Sequence, residues 1–159
     1  MNAQELGRVL GKTRNRGERN LWLGALLARE ARTDIVIVGG SAIEVYTRGK
    51  FVSEDLDLAG ERAAVVRALE DWGFRREGRL WSRPDLRLWV DPVGQYYTGG
   101  ARRLGEVSTP YGPVRLASVE DLIAKRLIEI KVRPGGGSAL FDQAVALARS
   151  IRMTWIGTT

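Results

Sequence analysis

The segment TDIVIVGG, residues 33–40, constrains the fold more than any other part of the chain. Its unbroken run of β-branched residues is typical of a strand buried in a sheet, and the two glycines that follow indicate a tight turn. Helical patterns lie on both sides of this strand. The arrangement predicts an α/β or α+β domain.

The remaining patterns complete one domain of this class. Two helices are predicted in residues 3–31, further helices over 41–49, 61–74, 119–132 and 139–151, and strands over 51–60, 79–94 (an antiparallel pair) and 112–118. The predicted fold is a mixed β-sheet with helices packed mainly on one face, and 159 residues suffice for one such domain. Residues 1–31 are its N-terminal helical extension, and residues 118–152 are its C-terminal helices.

The composition limits the available chemistry. The chain has no cysteine and no histidine, which excludes zinc fingers, thiol nucleophiles, Ser-His-Asp triads and imidazole acid–base catalysis. Arginine supplies 21 of the 25 basic residues, and the formal net charge is +6. This excess favours a nucleotide or nucleic-acid partner, although heat adaptation or genomic composition produces the same pattern. The lack of an export signal or a long apolar run predicts a cytoplasmic protein with no membrane partner.

The predicted strand FVSEDLDLAG carries carboxylates that a purely structural strand would not need. Side chains alternate along a strand, so Asp55 and Asp57 point to one side while Leu56 and Leu58 point to the other. Two carboxylates on one face repel each other and lower the propensity for a strand. Mg²⁺ binds such oxygen ligands together with water and substrate phosphate. The pattern therefore predicts a metal site at the two aspartates, with Glu54 outside it.

A third aspartate, Asp91, follows the apolar strand LRLWV. It lies on the strand face opposite Leu88 and Val90 and is a candidate for the same metal site. The alternative is a turn residue, because an Asp-Pro pair favours the start of a turn.

Two other phosphate-binding patterns are disfavoured. In GRVLGKT, residues 7–13, the glycines are one residue too close for a P-loop, and a helical pattern precedes them instead of a strand. The segment IVIVGGSAIEV lacks the glycine spacing of a dinucleotide-binding fingerprint, and a pair of aspartates follows it instead of a single acidic residue.

These features together resemble the DNA polymerase β-like nucleotidyltransferase superfamily and, within it, the small nucleotidyltransferases related to AbiEii-type toxins. The matching residues are Gly39, Gly40 and Ser41 after the first strand, Ser53, Asp55 and Asp57 in SEDLDL, and Asp91 on a later strand. The resemblance extends to LASVEDLIAKRL, where Lys125 matches a helix lysine of the family. The alternative for Lys125 is a solvated lysine beside the apolar stripe of its helix.

The resemblance also implies a reaction and its ligands. Two Mg²⁺ ions, or Mn²⁺ in their place, would be held by Asp55, Asp57 and Asp91, and the nucleotide by Gly39, Gly40, Ser41, Ser53 and Lys125. Asp91 would hold the second metal or accept a proton from the attacking hydroxyl. A nucleoside monophosphate would pass from an NTP, such as ATP, to a hydroxyl of RNA (a tRNA 3′ end) or of a protein side chain. A cognate toxin or antitoxin is a further implied partner. The alternative function is a catalytically inactive nucleotide- or RNA-binding module with the same fold.

Overall fold

A seven-stranded mixed sheet and six α-helices make up the computed structural model, which describes residues 1–99, 103–133 and 137–156. The helices are α1 (Ala3–Leu10), α2 (Arg16–Ala31), α3 (Gly39–Tyr46), α4 (Arg62–Asp71), α5 (Val119–Val132) and α6 (Gly137–Ile156). The strands are β1 (Val36–Ile37), β2 (Leu56–Ala59), β3 (Arg75–Glu77), β4 (Leu80–Arg83), β5 (Leu88–Gly94), β6 (Gly105–Thr109) and β7 (Gly112–Leu116). The predicted fold class, α/β with a mixed sheet, is confirmed.

The strand order across the sheet is β3-β4-β5-β2-β1-β7-β6. Strand β1 is antiparallel to β2 and parallel to β7, and β2 is parallel to β5. Helix α4 and the antiparallel hairpin formed by β3 and β4 lie between β2 and β5 in the chain. The parallel pairing of β2 with β5 therefore places equivalent ends of two strands side by side, although they are distant in sequence.

The apolar side of β2 is buried in the core. Leu56 and Leu58 have no exposed surface, as the alternation predicts. Helix α4 contributes Val65 and Leu69, both also fully buried. Full burial of a leucine side chain stabilises the fold by about 1.5–3 kcal/mol. The two leucines thus fix the strand and its register, and Asp57 between them points to the other side.

An arginine in the first turn of α2 has a structural role. Arg19 donates from its guanidinium group to the carbonyl oxygens of Leu10, at the end of α1, and Thr13, in the connection between the helices, at 3.1 and 2.8 Å. A second nitrogen of Arg19 donates to the carbonyl oxygen of Leu86 at 3.0 Å, in the turn before β5. The side chain therefore fastens the N-terminal helices to the hairpin that leads into β5.

Several predicted boundaries were wrong. Strands β3 and β6 were not predicted because neither contains a buried residue, so neither shows an apolar pattern; they are the two edge strands of the sheet. Strand β2 begins at Leu56, so Asp55 lies in the bend before the strand. Helix α3 begins at Gly39 rather than after the two glycines.

Within the described ranges, no helix has both the length and the apolar character that a bilayer span requires.

Candidate functional site

Asp57 and Asp91 are register partners on neighbouring parallel strands. Asp57 in β2 pairs with Asp91 in β5, and neighbouring strands are about 4.8 Å apart. Asp55 lies two residues before Asp57, in the bend that leads into β2. The charge of Asp91 acts on both of the other carboxylates. The structure therefore brings the three predicted aspartates into one electrostatically coupled cluster, which we call the carboxylate cluster.

Asp55 and Asp57 are disfavoured in their ionised forms. Burial, followed by the charges of Asp91 and Asp55, raises the pKa of Asp57 to about 6. The pKa of Asp55 is also raised, first by burial and then by Asp91 and Glu54. A raised carboxyl pKa means that the ionised form is disfavoured, so a cation bound beside it would be stabilised.

The start of α3 lies against Asp57. The N–H of Val38 donates to the carbonyl oxygen of Asp57 at 3.0 Å, which continues the β1–β2 pairing up to the helix. Gly39 has a φ of +55°, and a Cβ at this position would stand 2.8 Å from Oδ2 of Asp57. The N–H of Gly40 donates to the Asp57 carboxylate and lowers its pKa. Because a side chain at position 39 would meet this carboxylate, glycine is required there.

Two serines hold the bend that carries Asp55. The buried hydroxyl of Ser41 donates to the carbonyl oxygen of Asp55 at 2.6 Å and accepts from the N–H of Asp57 at 3.0 Å. The hydroxyl of Ser53 donates to the same Asp55 carbonyl at 2.7 Å. The resemblance implied a phosphate contact for Ser41. In the structure its hydroxyl is bonded to the backbone of both aspartates, which makes it a support for the cluster.

Two arginines, Arg79 and Arg16, lie beside the cluster. Arg79 Nε lies 3.2 Å from Oδ2 of Asp91. Arg16 donates to the carbonyl oxygen of Ser53 at 3.3 Å, and its charge lowers the pKa of Asp55. The pairing of Trp81 in β4 with Val90 in β5 brings Arg79 near Asp91. No local pattern indicates the position of Arg16.

Lys125 lines a cavity next to the cluster. The cavity measures about 390 Å³ and lies between Gly39 at the start of α3, Gly94 at the end of β5, and helix α5. Its wall combines apolar residues with polar groups; Tyr97, which donates to Asp121, is among them. Burial and this hydrogen bond raise the pKa of Tyr97. A larger open cleft of about 810 Å³ near the end of α2 contains none of the predicted site residues.

The donor set of the cluster fits Mg²⁺ in its chemistry. Carboxylate oxygens are the preferred protein ligands of this ion, and a bound cation would offset the burial and the charges of Asp91 and Asp55 that raise the pKa of Asp57. The side chains are not gathered into a finished cage: among residues 1–99, 103–133 and 137–156, no three acidic side chains converge on an ion position. Asp91 instead directs an oxygen to Arg79.

Comparison with known proteins shows the fold. No protein-family model and no curated protein matches the sequence. Among solved structures, an antigenic nucleotidyltransferase-like protein from Paracoccidioides brasiliensis is similar, with a TM-score of 0.64 and 13% identity over 85% of this chain and 76% of that one. ANT(2″)-Ia in complex with adenylyl-2″-tobramycin is similar with a TM-score of 0.60 and 20% identity over 82% of this chain and 87% of that one. The chain therefore has a nucleotidyltransferase-like fold.

Proposed function

We propose that the protein is an Mg²⁺-dependent nucleotidyltransferase that moves a nucleoside monophosphate from an NTP to a hydroxyl acceptor. The observation that carries the proposal is the register pairing of Asp57 with Asp91, with the glycine-led start of α3 against Asp57. Three carboxylates and two glycines lie together here, and the pKa of Asp57 is raised. Such a site is suited to cations and phosphate.

The nucleotide would occupy the cavity beside the cluster. Gly39 lines this cavity from the start of α3, where backbone N–H groups favour phosphate oxygens. Lys125 lines it from α5 and would place a positive charge on the same phosphates. Tyr96 and Ile128, both exposed large side chains, line it as well and offer an apolar surface for the base. The cavity wall thus offers both polar and apolar groups to an NTP.

The reaction requires the acceptor oxygen to attack the α-phosphorus while the α–β phosphoanhydride bond breaks and pyrophosphate leaves. Asp55 and Asp57 would hold Mg²⁺, and Asp91 would hold a second ion or accept the proton of the attacking hydroxyl. The bound ions would neutralise the charge of the triphosphate and of the leaving pyrophosphate. Ser41 would keep Asp55 and Asp57 in place through the backbone hydrogen bonds described above.

The acceptor belongs to one of a few chemical classes. The net charge of +6 and the surrounding arginines favour an RNA hydroxyl, such as a tRNA 3′ end, over a cationic molecule. A protein side chain is the second class, and it includes a cognate toxin or antitoxin. The similar structure of ANT(2″)-Ia holds an adenylylated tobramycin, so an aminoglycoside hydroxyl is a third class to be tested.

The test is a transfer assay with each of the four α-labelled NTPs, Mg²⁺, and total RNA, cell lysate or tobramycin as the acceptor. We expect label transfer that requires Mg²⁺ and disappears in Asp57→Asn and Asp91→Asn. Asp34→Asn is the matched control, because its carboxylate is 90% exposed and lies outside the cluster. Its activity should equal that of the wild type.

The outcome also distinguishes the enzyme from an inactive relative. NTP binding without transfer to any acceptor, unchanged by Asp91→Asn, would show a binding module. Absence of both NTP binding and transfer would overturn the proposed function.

A further inference from the structure

Arg79 lies on the turn that joins β3 to β4. Gly78, in the same turn, has a φ of +63°, and the turn reverses the chain so that β4 runs antiparallel to β3. Strand β4 also pairs antiparallel with β5. Trp81 of β4 pairs with Val90 of β5. Arg79, two residues before Trp81, therefore lies beside the part of β5 that carries Asp91.

The two partners of this ion pair differ in exposure. The side chain of Asp91 is 10% exposed, whereas that of Arg79 is 78% exposed. The carboxylate is thus fixed within the sheet, while the guanidinium reaches it from solvent. An exposed arginine can leave such a contact at little energetic cost, because water solvates it again at once.

Arg79 compensates more than one carboxylate. Its charge lowers the pKa of Asp55 as well as lying against Asp91. In the metal-free protein it therefore supplies part of the positive charge that a metal ion would supply. The same Asp91 oxygen cannot favourably bind both the Arg79 guanidinium and a metal ion, since two cations within about 4 Å of each other repel.

We propose that Arg79 is the resident counter-ion of Asp91, and that a divalent cation must displace it to use Asp91 as a ligand. The inference rests on the proposed function only in that it requires the metal site. Arg79 then sets the metal affinity of the site: its removal makes metal binding tighter, although it takes away no ligand. This is opposite to the effect expected of an arginine that supports the site.

The experiment measures Mn²⁺ binding to the full chain by electron paramagnetic resonance of the free ion, without nucleotide. We expect Arg79→Ala and Arg79→Gln each to bind Mn²⁺ about fivefold more tightly than the wild type, as loss of one competing ion pair implies. Arg75→Ala is the matched control: it removes an equal charge from exposed strand β3 of the same hairpin, and its effect should stay below about twofold at physiological salt.

A double-mutant cycle tests whether the effect passes through Asp91. In an Asp91→Asn background, Arg79→Ala should no longer tighten Mn²⁺ binding. If the wild type binds Mn²⁺ in an Asp57-dependent way but both Arg79 variants bind it equally or more weakly, only the proposed role of Arg79 is overturned. Absence of any Asp57-dependent Mn²⁺ binding overturns both that role and the metal site. Binding that behaves as expected, in a protein that transfers no nucleotide, overturns only the proposed function.

Discussion

At the scale of single residues, the site is built from groups that oppose the stability of the fold. Asp57 lies between two fully buried leucines, and its ionised form is disfavoured by burial and by Asp91 and Asp55. Such a residue lowers the free energy of unfolding unless a cation joins it. The free energy of unfolding should therefore depend on pH and on metal binding through Asp57.

The first prediction concerns Asp57→Asn. Between the unfolded pKa of about 4 and the folded pKa of about 6, the folded state binds more protons than the unfolded state. The free energy of unfolding of the wild type therefore falls as pH rises through this window and stays low above it. In metal-free buffer at pH 7.5, Asp57→Asn should raise the free energy of unfolding by about 1–2 kcal/mol, allowing for solvent screening of a partly exposed group. Denaturant unfolding at pH 7.5 and pH 4.5 measures this, and the gain should shrink at the lower pH.

Two comparisons make this prediction specific. Asp34→Asn removes an exposed carboxylate and should give no such gain. Saturating Mg²⁺ should stabilise the wild type at pH 7.5 but not the Asp57→Asn protein, which reverses their order. A stability that rises with pH between 4.5 and 6 through Asp57 would contradict the assignment.

The second prediction concerns Ser41→Ala. The buried hydroxyl both donates to the Asp55 carbonyl and accepts from the Asp57 N–H. Its removal takes the acceptor from the Asp57 N–H and leaves the Asp55 carbonyl with the Ser53 hydroxyl as its side-chain donor. We expect a loss of about 1–3 kcal/mol in the free energy of unfolding, measured by denaturant titration, with weaker Mn²⁺ binding because the backbone of Asp57 is no longer tied to that of Asp55. Ser53→Ala, which leaves the Ser41 bonds in place, should lose less on both measures. Equal losses in the two variants would show that Ser41 has no special supporting role.

At the scale of secondary-structure elements, the site depends on the junction of β1, α3 and β2. The helix begins with two glycines where the strand ends, and the N–H of Gly40 reaches the Asp57 carboxylate. The pairing of β2 with β5 then adds Asp91. Each contact is short and made by backbone or by a carboxylate, so a single extra carbon atom in the junction should disturb it.

The third prediction tests this junction with Gly39→Ala and Gly49→Ala. Both glycines have positive φ, +55° and +81°, but only at Gly39 would the new Cβ meet the Asp57 carboxylate, at 2.8 Å. Both variants should lose about 1–2 kcal/mol of stability from backbone strain. Only Gly39→Ala should also lose Mn²⁺ binding and nucleotide transfer. Unfolding, Mn²⁺ titration and the transfer assay measure these effects in both variants. Equal activity in the two variants would exclude a close approach of residue 39 to the Asp57 carboxylate.

The elements also show which features the sequence could predict. The alternation in β2 correctly predicted that Leu56 and Leu58 are buried. An alternation of apolar and polar residues indicates which side chains are buried. Strands β3 and β6 escaped prediction because edge strands without buried residues produce no such pattern.

The candidate site shows the same division. The short spacing of Asp55 and Asp57 predicted that they lie together, although Asp55 lies in the bend before β2. The structure brings Asp91 to them through a parallel pairing that no local pattern encodes. The resemblance assigned Ser41 to the nucleotide, and it could not indicate that the Ser41 hydroxyl bonds the backbone of Asp55 and Asp57. Arg16 reaches the bend only because α2 packs over it, which is a tertiary effect.

At the scale of the whole molecule, the cavity beside the cluster joins the sheet to the C-terminal helices. Residues from α3, from the end of β5 and from α5 line it. Helices α5 and α6 follow every strand in the chain, so a ligand in this cavity would connect the last part of the chain to the first. Binding of an NTP should therefore stabilise the molecule as a unit, and α5 in particular.

The fourth prediction uses this connection. With Mg²⁺ and an NTP at 100 times its Kd, the free energy of unfolding should rise by about 2.7 kcal/mol, which corresponds to a Tm increase of roughly 5–10 °C for a chain of this size. At the same NTP concentration, Lys125→Ala should show a smaller increase in the free energy of unfolding because it removes a positive charge from the cavity wall. Lys131→Ala is the control: Lys131 lies in the exposed last turn of α5, outside the cavity, and its removal should leave the increase unchanged. Hydrogen exchange should show that NTP binding slows the amides of α5 in the wild type and less so in Lys125→Ala. If NTP stabilises Lys131→Ala and Lys125→Ala equally, the nucleotide does not contact α5 through this cavity. The triphosphate would then have to lie over the carboxylate cluster from the side of the β3–β4 hairpin.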